Sequence, residues 1–201
     1  MPPLPPVTKA LMLICTAVFA LDILLRSVLP LPLWFALWPI GSGQFMPWQV
    51  VTYAFLHGDV LHLFFNMLGL WMFGAELERL WGHKRLLAFL LASVLTAAAS
   101  QLLVNALRHS YMPTVGASGG LFGLLLAYGM LFPNRTIMPL FPPIPMKART
   151  FVAVFGGLEL LQGLAGPSGV AHFAHLGGML GGWLTIRYWR GQAPFPSRRR
   201  R

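Results

Sequence analysis

Three short polar clusters lie within apolar stretches of the chain and contain residue types that can do chemistry together. They are His57-Gly-Asp-Val-Leu-His62-Leu-Phe-Phe-Asn66, Gly116-Ala-Ser118-Gly119-Gly-Leu-Phe122-Gly123 and Ala174-His175-Leu-Gly-Gly-Met-Leu-Gly-Gly. A serine hydroxyl is a weak nucleophile that needs a base within hydrogen-bond reach and N–H donors for the oxyanion. The clusters supply a hydroxyl, imidazoles and an amide, which are the parts that such acyl chemistry requires.

Ser118 is predicted to lie at the start of an apolar helix. One interpretation is an N-cap, in which the hydroxyl satisfies a free backbone N–H. The other is a nucleophile, because the free N–H groups and the positive end of the helix dipole stabilise an oxyanion beside the hydroxyl. Gly116 lets the chain approach tightly, and Gly119 with Gly123 forms a face on which another helix can pack closely.

The first histidine cluster puts two polar side chains on one helix face. His62 and Asn66 are four residues apart, which is about one turn, whereas His57 lies at or just before the helix start. Paired histidines can bind zinc, but the spacing is not that of the His-Glu-x-x-His motif and no carboxylate completes a site. We therefore expect no metal, and a satisfied polar contact between helices is the alternative to a catalytic role.

His175 shares a helical stripe with Gly178 and Gly182, which follow it by three and seven residues. A glycine stripe lets one helix approach another backbone closely, so the imidazole can reach a hydroxyl on the neighbouring helix. The alternative is a packing stripe whose histidine is satisfied by backbone. His172 lies nearer the loop and is predicted to be a surface or mouth residue.

The composition indicates a membrane protein. Of the 201 residues, 56% are hydrophobic and 10% are charged, whereas about a quarter are charged in soluble domains. The gaps between charges predict an all-α, polytopic bundle of six spans of about 20 residues each. The predicted spans are residues 10–29, 57–73, 86–107, 118–132 and two within 150–186, divided by Gly166-Pro-Ser-Gly. The single cysteine, Cys15, excludes a disulfide framework and a cysteine metal site.

The basic residues predict an orientation. With both termini in the cytoplasm, all of the 15 Lys and Arg residues except Arg26 and Arg108 fall on the cytoplasmic side, as the positive-inside rule expects. The net charge of +10 therefore needs no nucleic acid to explain it. We expect one membrane domain over residues 1–201 with a basic cytoplasmic tail (191–201). The Arg198 to Arg201 run in this tail can contact anionic lipid heads; a nucleic-acid tail is the weaker alternative. A bacterial inner membrane is the expected location.

In their order and with six spans, the clusters resemble the rhomboid family of intramembrane serine proteases, over about residues 48–183. The resemblance implies that Ser118 is the nucleophile and that His175 is its general base and later its acid. It implies a dyad, since no acidic residue lies near His175 in the sequence and the family uses none.

The resemblance also implies the rest of the site. His62, Asn66 and the backbone N–H of Ser118 would form the oxyanion hole. No cofactor is implied. The residues that would shape the site are Gly116, Gly119, Phe122 and His57.

Three positions bear on how closely the chain follows the family. Gln49 follows Trp48 where the family often has arginine, so an ion pair is absent and the stability of this aromatic loop is open. Phe122 stands where bacterial relatives often have tyrosine, and a phenyl ring can still pack against His175. Glu78 matches a family glutamate that braces the fold, with a solvated cytoplasmic charge as the alternative.

The function implied is hydrolysis of peptide bonds in or near transmembrane segments of other proteins, in a wet cavity open to the outer side. The alternative is a rhomboid-like protein that binds or escorts transmembrane helices without cutting them. A transporter is a third possibility, which the lone charges Asp22 and Glu159 support only weakly. The natural substrate and the oligomeric state are not specified by the sequence.

Overall fold

The computed structural model describes residues 3–140, 143–166 and 169–192. The helices are α1 (Pro6–Leu25), α2 (Leu31–Phe35), α3 (Gln49–Thr52), α4 (Val60–Gly69), α5 (Ala75–Trp81), α6 (His83–Arg108), α7 (Ser118–Leu131), α8 (Ala148–Ala165) and α9 (His172–Trp189). Single turns of 3-10 helix occur at Ile40–Ser42 and Tyr53–Phe55, and one π-helical turn at Leu70–Gly74. Two short antiparallel strands pair, β1 (Thr136–Ile137) with β2 (Met146–Lys147).

Six helical segments correspond to the six predicted spans: α1, α4 continuing into α5, α6, α7, α8 and α9. Within the described residues, three are long and apolar enough to cross a membrane, namely Pro6–Leu25, Val60–Trp81 and His83–Arg108. Ser118–Leu131 is apolar but shorter. The prediction of an all-α, polytopic membrane bundle is confirmed.

The first span begins and ends earlier than the predicted 10–29. It can begin at Pro6 because the first helical position needs no intrahelical N–H bond. It ends at Leu25, since Pro30 has no N–H for the carbonyl of Arg26 and its ring would clash with that carbonyl in a continuing helix. The predicted boundaries were therefore wrong by about one turn at each end.

The second span is longer than the predicted 57–73, because α4 runs through the π turn into α5 and ends at Trp81. The charges that seemed to end it are partly buried. Glu78 has a fully buried side chain that accepts hydrogen bonds from the backbone N–H groups of Val7 (2.9 Å) and Thr8 (2.7 Å) at the start of α1. The bracing interpretation of Glu78 is confirmed, and the solvated alternative is wrong.

Glycines bring α9 into backbone contact with α6 and α7 at the centre of the bundle. A side chain at Gly177 would overlap Ser100 and the Thr96 carbonyl on α6, and one at Gly178 would overlap the Gly119 carbonyl on α7. A side chain at Gly119 would in turn lie 2.6 Å from Cβ of Ala97. The close approach predicted for the glycine stripe is therefore observed.

The aromatic loop between α1 and α4 is held by a buried amide. The Gln49 side chain accepts from the Trp38 N–H (3.2 Å) and donates to the carbonyls of Trp34 (3.3 Å) and Gln44 (3.0 Å). It is fully buried. Gln49 thus gives this loop internal cross-links without an arginine.

The same loop positions the chain that leads into α7. Leu37 and Thr114 exchange backbone hydrogen bonds of 2.9 and 3.0 Å, and the Gly116 N–H donates to the Tyr53 carbonyl (2.9 Å). The Tyr53 hydroxyl donates to the Val94 carbonyl in α6 (2.9 Å). These bonds fix the entry into α7 against both the loop and α6.

Two sequence predictions fall partly beyond the described residues. The predicted basic tail is undescribed from residue 193 onward, and the predicted divider between the fifth and sixth spans includes undescribed residues 167 and 168.

Candidate active site

Ser118 and His175 meet where α7 and α9 begin. Oγ of Ser118 lies 2.7 Å from Nε2 of His175. The residues are 57 positions apart in the chain, and the glycine contacts between α7 and α9 bring their helices together. A hydroxyl at this distance from an imidazole nitrogen can transfer its proton as it attacks an electrophile.

Ser118 is the first residue of α7 and does not cap it. The N-cap position is Ala117, and no side-chain capping bond is made there. The capping interpretation is therefore wrong, since the hydroxyl bonds to His175. Free backbone N–H groups are still available beside Ser118 to bind a negative charge, because the first N–H groups of a helix have no intrahelical partner.

Phe122 holds the imidazole from one side. Its ring stacks on that of His175 with centroids 4.3 Å apart and planes 7° from parallel. Phe122 lies one turn after Ser118 on α7, so the same helix presents the hydroxyl and the stacking surface. Stacked rings restrict the plane in which the imidazole can turn.

His62 presents a ring nitrogen beside Ser118. The backbone N–H of His62 donates to the Asp59 side chain, which caps α4 (2.8 Å). The Gly58 N–H donates to Nδ1 of His62 (3.4 Å). Because Nδ1 accepts, a neutral ring carries its proton on Nε2.

Gly116 is required by this imidazole. Its φ of +124° is unfavourable for other residues, and an added Cβ would lie 2.6 Å from Nε2 of His62 and 3.6 Å from Oγ of Ser118. The glycine therefore leaves open the space between Nε2 of His62 and the hydroxyl of Ser118.

Asn66 and His57 flank His62. The Asn66 side chain is buried, and its amide donates one hydrogen to the His62 carbonyl (2.8 Å), leaving a second hydrogen on the same nitrogen. The buried His57 ring lies edge-on to His62, with centroids 5.1 Å apart. Burial, with a further contribution from His62, lowers the pKa of His57 to about 4, so this ring is neutral at physiological pH.

Glu159 joins the site although sequence reasoning gave it no role there. Oε2 of Glu159 in α8 lies 2.9 Å from Nδ1 of His175 and 2.6 Å from Nδ1 of His172. His172 is buried and faces this carboxylate, so the surface half of its prediction was wrong, whereas its place in the cavity lining agrees with the mouth half. The available signal was a lone carboxylate inside an apolar span, which is rare without a function.

Glu159, His172 and His175 are also the group of described residues that could hold a metal ion, since their ligand atoms lie within 4.8 Å of one another. Ligands around a tetrahedral zinc stand about 3.3 Å apart, given bonds of about 2.0 Å. The 2.6 and 2.9 Å separations are shorter. The arrangement is that of a carboxylate shared by two imidazoles.

A cavity of about 860 Å³ opens onto these groups. Ser118, His175, His62 and Asn66 all line it. Glu159 lies behind His175 and is not part of the lining. The cavity gives a reacting molecule access to the hydroxyl and to the donors around it.

A family model and the similar curated proteins point to the same family. The rhomboid domain model matches residues 44–191. The chain is similar to rhomboid protease GlpG of Yersinia pestis (strain Pestoides F), with 28% identity over 185 residues that cover 92% of this chain and 62% of the relative. Rhomboid protease GlpG of Klebsiella pneumoniae is 30% identical over 181 residues, covering 88% of this chain and 60% of the relative.

The chain thus spans a little less than two thirds of the length of these curated relatives. The family model, by contrast, covers most of the chain and includes every residue of the cavity described above. The chain is an integral membrane protein that belongs to the rhomboid family.

Proposed function

We propose that this protein is an intramembrane serine endopeptidase that cleaves transmembrane proteins with Ser118 as nucleophile and His175 as base. The observation that carries the proposal is the 2.7 Å contact between Oγ of Ser118 and Nε2 of His175 at the wall of a cavity. Membership of the rhomboid family and similarity to proteins named rhomboid protease support it.

The chemistry takes two steps. Oγ of Ser118 attacks the carbonyl carbon while its proton passes to Nε2 of His175, and that proton then moves to the leaving nitrogen as the C–N bond breaks. Water attacks the resulting ester and gives its proton to Nε2. The bond to Oγ breaks, and the proton returns to Ser118.

The oxyanion formed in each step needs donors that are already in place. The Nε2–H of His62, the remaining amide hydrogen of Asn66 and the backbone N–H of Ser118 are the donors that we assign. Fixed donors stabilise the developing charge without reorganisation at the moment of reaction. The tight turn at Gly116 keeps His62 close to Ser118.

The site needs water at membrane depth, and the length of α7 supports that depth. Its 14 residues span about 21 Å, against about 30 Å of hydrocarbon. Polar backbone at this depth is tolerated where it lines a water-filled cavity. We therefore assign the 860 Å³ cavity as the water reservoir, open to the outer side of a bacterial inner membrane with both termini in the cytoplasm.

The substrate that fits this site is a transmembrane helix entering from the bilayer. An intact helix hides its carbonyls in hydrogen bonds, so segments that unwind readily, with glycine or proline near the outer surface, should be cut most easily. The site itself needs no metal or cofactor for this chemistry.

Labelling with a fluorophosphonate tests the proposal. The reagent loses fluoride to an activated serine oxygen, so the wild type should be labelled at Ser118, whereas Ser118→Ala should not react and His175→Asn should react very slowly. A protein that only binds or escorts helices would remain unlabelled. Absence of labelling in folded wild-type protein, together with no cleavage of any reporter transmembrane segment, would overturn the assignment.

A further inference from the structure

Glu159 is a carboxylate in an apolar helix whose position the dyad chemistry does not explain. Its side chain is 13% exposed and lies in the middle of α8. Nδ1 of both imidazoles of α9, those of His172 and His175, lies within 2.9 Å of the same oxygen. Polar groups in membrane spans are costly, so such an arrangement calls for a physical role.

The proton on His175 defines that role. Nε2 must be unprotonated to accept the proton of Ser118, so a neutral ring carries its proton on Nδ1. Nδ1 of His175 is buried and has no hydrogen-bond partner among the described residues. Within the described part of the chain, the acceptor at ion-pair distance from this atom is Oε2 of Glu159, 2.9 Å away.

The contact is close but not linear. The Nδ1–H bond is not directed along the line to Oε2, so the distance is that of an ion pair without full hydrogen-bond alignment. Catalytic hydrogen bonds are often poorly aligned in the absence of substrate and tighten in the reacting complex. Because Phe122 holds the plane of the ring, alignment requires Oε2 to move toward the direction of the Nδ1–H bond.

We propose that Glu159 is a positioning residue that completes a Ser118–His175–Glu159 relay, an addition that rests on the proposed protease function. The carboxylate holds His175 in the tautomer whose Nε2 accepts the serine proton. When that proton arrives, the negative charge stabilises the imidazolium. Glu159 keeps its own charge throughout, and no proton passes to it.

A simpler explanation is that Glu159 serves only His172, with which it makes the shorter contact of 2.6 Å. That explanation predicts that His172 variants reproduce the effects of Glu159 variants. It gives no role to the 2.9 Å contact between Oε2 of Glu159 and Nδ1 of His175. The two explanations therefore differ in which histidine transmits the effect of Glu159.

The experiment compares Glu159→Gln and Glu159→Asp with the wild type in detergent. Glutamine keeps the shape and an acceptor oxygen but removes the charge, whereas aspartate keeps the charge with a shorter reach. The readouts are kcat and KM for a reporter transmembrane segment, the rate of fluorophosphonate labelling at Ser118, and the thermal midpoint. Labelling is expressed per folded molecule.

We expect Glu159→Gln to lower kcat and the labelling rate together by about 10- to 100-fold, a partial loss of general-base catalysis. KM should change less than about twofold, because Glu159 is not part of the cavity lining. Glu159→Asp should recover part of the labelling rate. If Glu159→Gln does not fold, the aspartate variant decides the question on the same readouts.

Two control variants separate the alternatives. Glu78→Gln removes a matched buried carboxylate far along the chain from the site, and it should lower the thermal midpoint while labelling per folded molecule stays unchanged. His172→Gln should reduce labelling less than Glu159→Gln does. An equal reduction, or a wild-type labelling rate in Glu159→Gln, would overturn the inference about Glu159. Failure of the wild type itself to be labelled would instead overturn the proposed protease function.

Discussion

Two of the three glutamates in the apolar helices of this protein, Glu78 and Glu159, contact histidine, but their surroundings differ. Glu78 has a side chain with no exposed surface and binds the N–H groups of Val7 and Thr8, the Thr8 hydroxyl (2.6 Å) and Nδ1 of His83 (2.7 Å). Glu159 is 13% exposed, and its described partners are imidazoles.

The difference separates a structural carboxylate from a functional one. Backbone N–H groups cannot change protonation, so the carboxylate of Glu78, which binds two of them, fixes the start of α1. An imidazole can gain and lose a proton, so a carboxylate between imidazoles beside a cavity influences proton transfer. Burial alone does not distinguish the two glutamates; the chemistry of their partners does.

Ser118→Ala should give the largest effect on activity with the smallest effect on stability. Removing the nucleophile should lower cleavage of a reporter segment by at least about 1000-fold. The thermal midpoint should stay within about 1 °C, since the hydroxyl is not a helix cap. Cleavage of the reporter in detergent measures the activity, and thermal unfolding measures the stability. Cleavage at the wild-type rate would remove Ser118 from the mechanism.

His62→Ala should have the next largest effect on activity. If its Nε2–H is an oxyanion donor, the variant should lower kcat by an amount that corresponds to a barrier higher by about 3 to 4 kcal/mol. KM should change little, because this donor acts on charge that develops in the transition state. Steady-state kinetics on one reporter separate the two constants. The matched control is His83→Ala, which removes the histidine that contacts Glu78 and should leave kcat unchanged. Equal losses in both variants would show that the effect is structural.

Glu78→Ala should destabilise the protein by about 3 kcal/mol, because it leaves the buried donors of Val7 and Thr8 without an acceptor. Residual cleavage per folded molecule should equal that of the wild type. Denaturation followed by intrinsic fluorescence measures the free energy of unfolding. Cleavage kinetics divided by the fraction of labelled protein measure the activity per folded molecule. An altered kcat in the folded fraction would contradict the division between the two glutamates.

The fold could largely be predicted from the sequence because apolar length and charge spacing determine membrane helices. The boundaries could not, since they depend on partners. Pro6 begins α1 four residues before the predicted start, where Glu78 of a distant helix binds the free N–H groups. The second span continues to Trp81 because its charges find partners in the fold.

For the site, the sequence predicted which groups share a helix face but not which helices meet. The structure brings Ser118 and His175 into contact, and the catalytic roles assigned to them remain predictions. The sequence did not indicate Glu159 as a site residue, because it lies 16 residues before His175 in the chain and only the packing of α8 brings the two together. Similarly, Gln49 shows its three bonds only once the loop is folded.

Gln49→Ala should destabilise the aromatic loop by about 2 kcal/mol, because a buried N–H and two carbonyls lose their partner. This extends the comparison to a neutral side chain that, like Glu78, binds backbone groups. The thermal midpoint should fall while kcat per folded molecule stays near the wild-type value. Gln44→Ala is the control, since Gln44 contributes its backbone carbonyl and should behave as the wild type. A stable Gln49→Ala protein would show that the loop does not depend on this amide.

Phe122→Ala should have the smallest of these effects, an activity loss of about 1 kcal/mol, or about fivefold, from the stacked contact with His175. The aromatic ring restricts the plane of the imidazole, whereas Glu159 is proposed to fix the direction of its Nδ1–H, so the two residues act on one side chain in different ways. Phe122→Tyr preserves the stacking face, and its activity should stay within about twofold of that of the wild type.

If Phe122→Ala and Glu159→Gln both act by orienting His175, their effects on the rate of fluorophosphonate labelling should not be additive in the double variant. Simple additivity would mean that only one of them acts on the orientation of this imidazole.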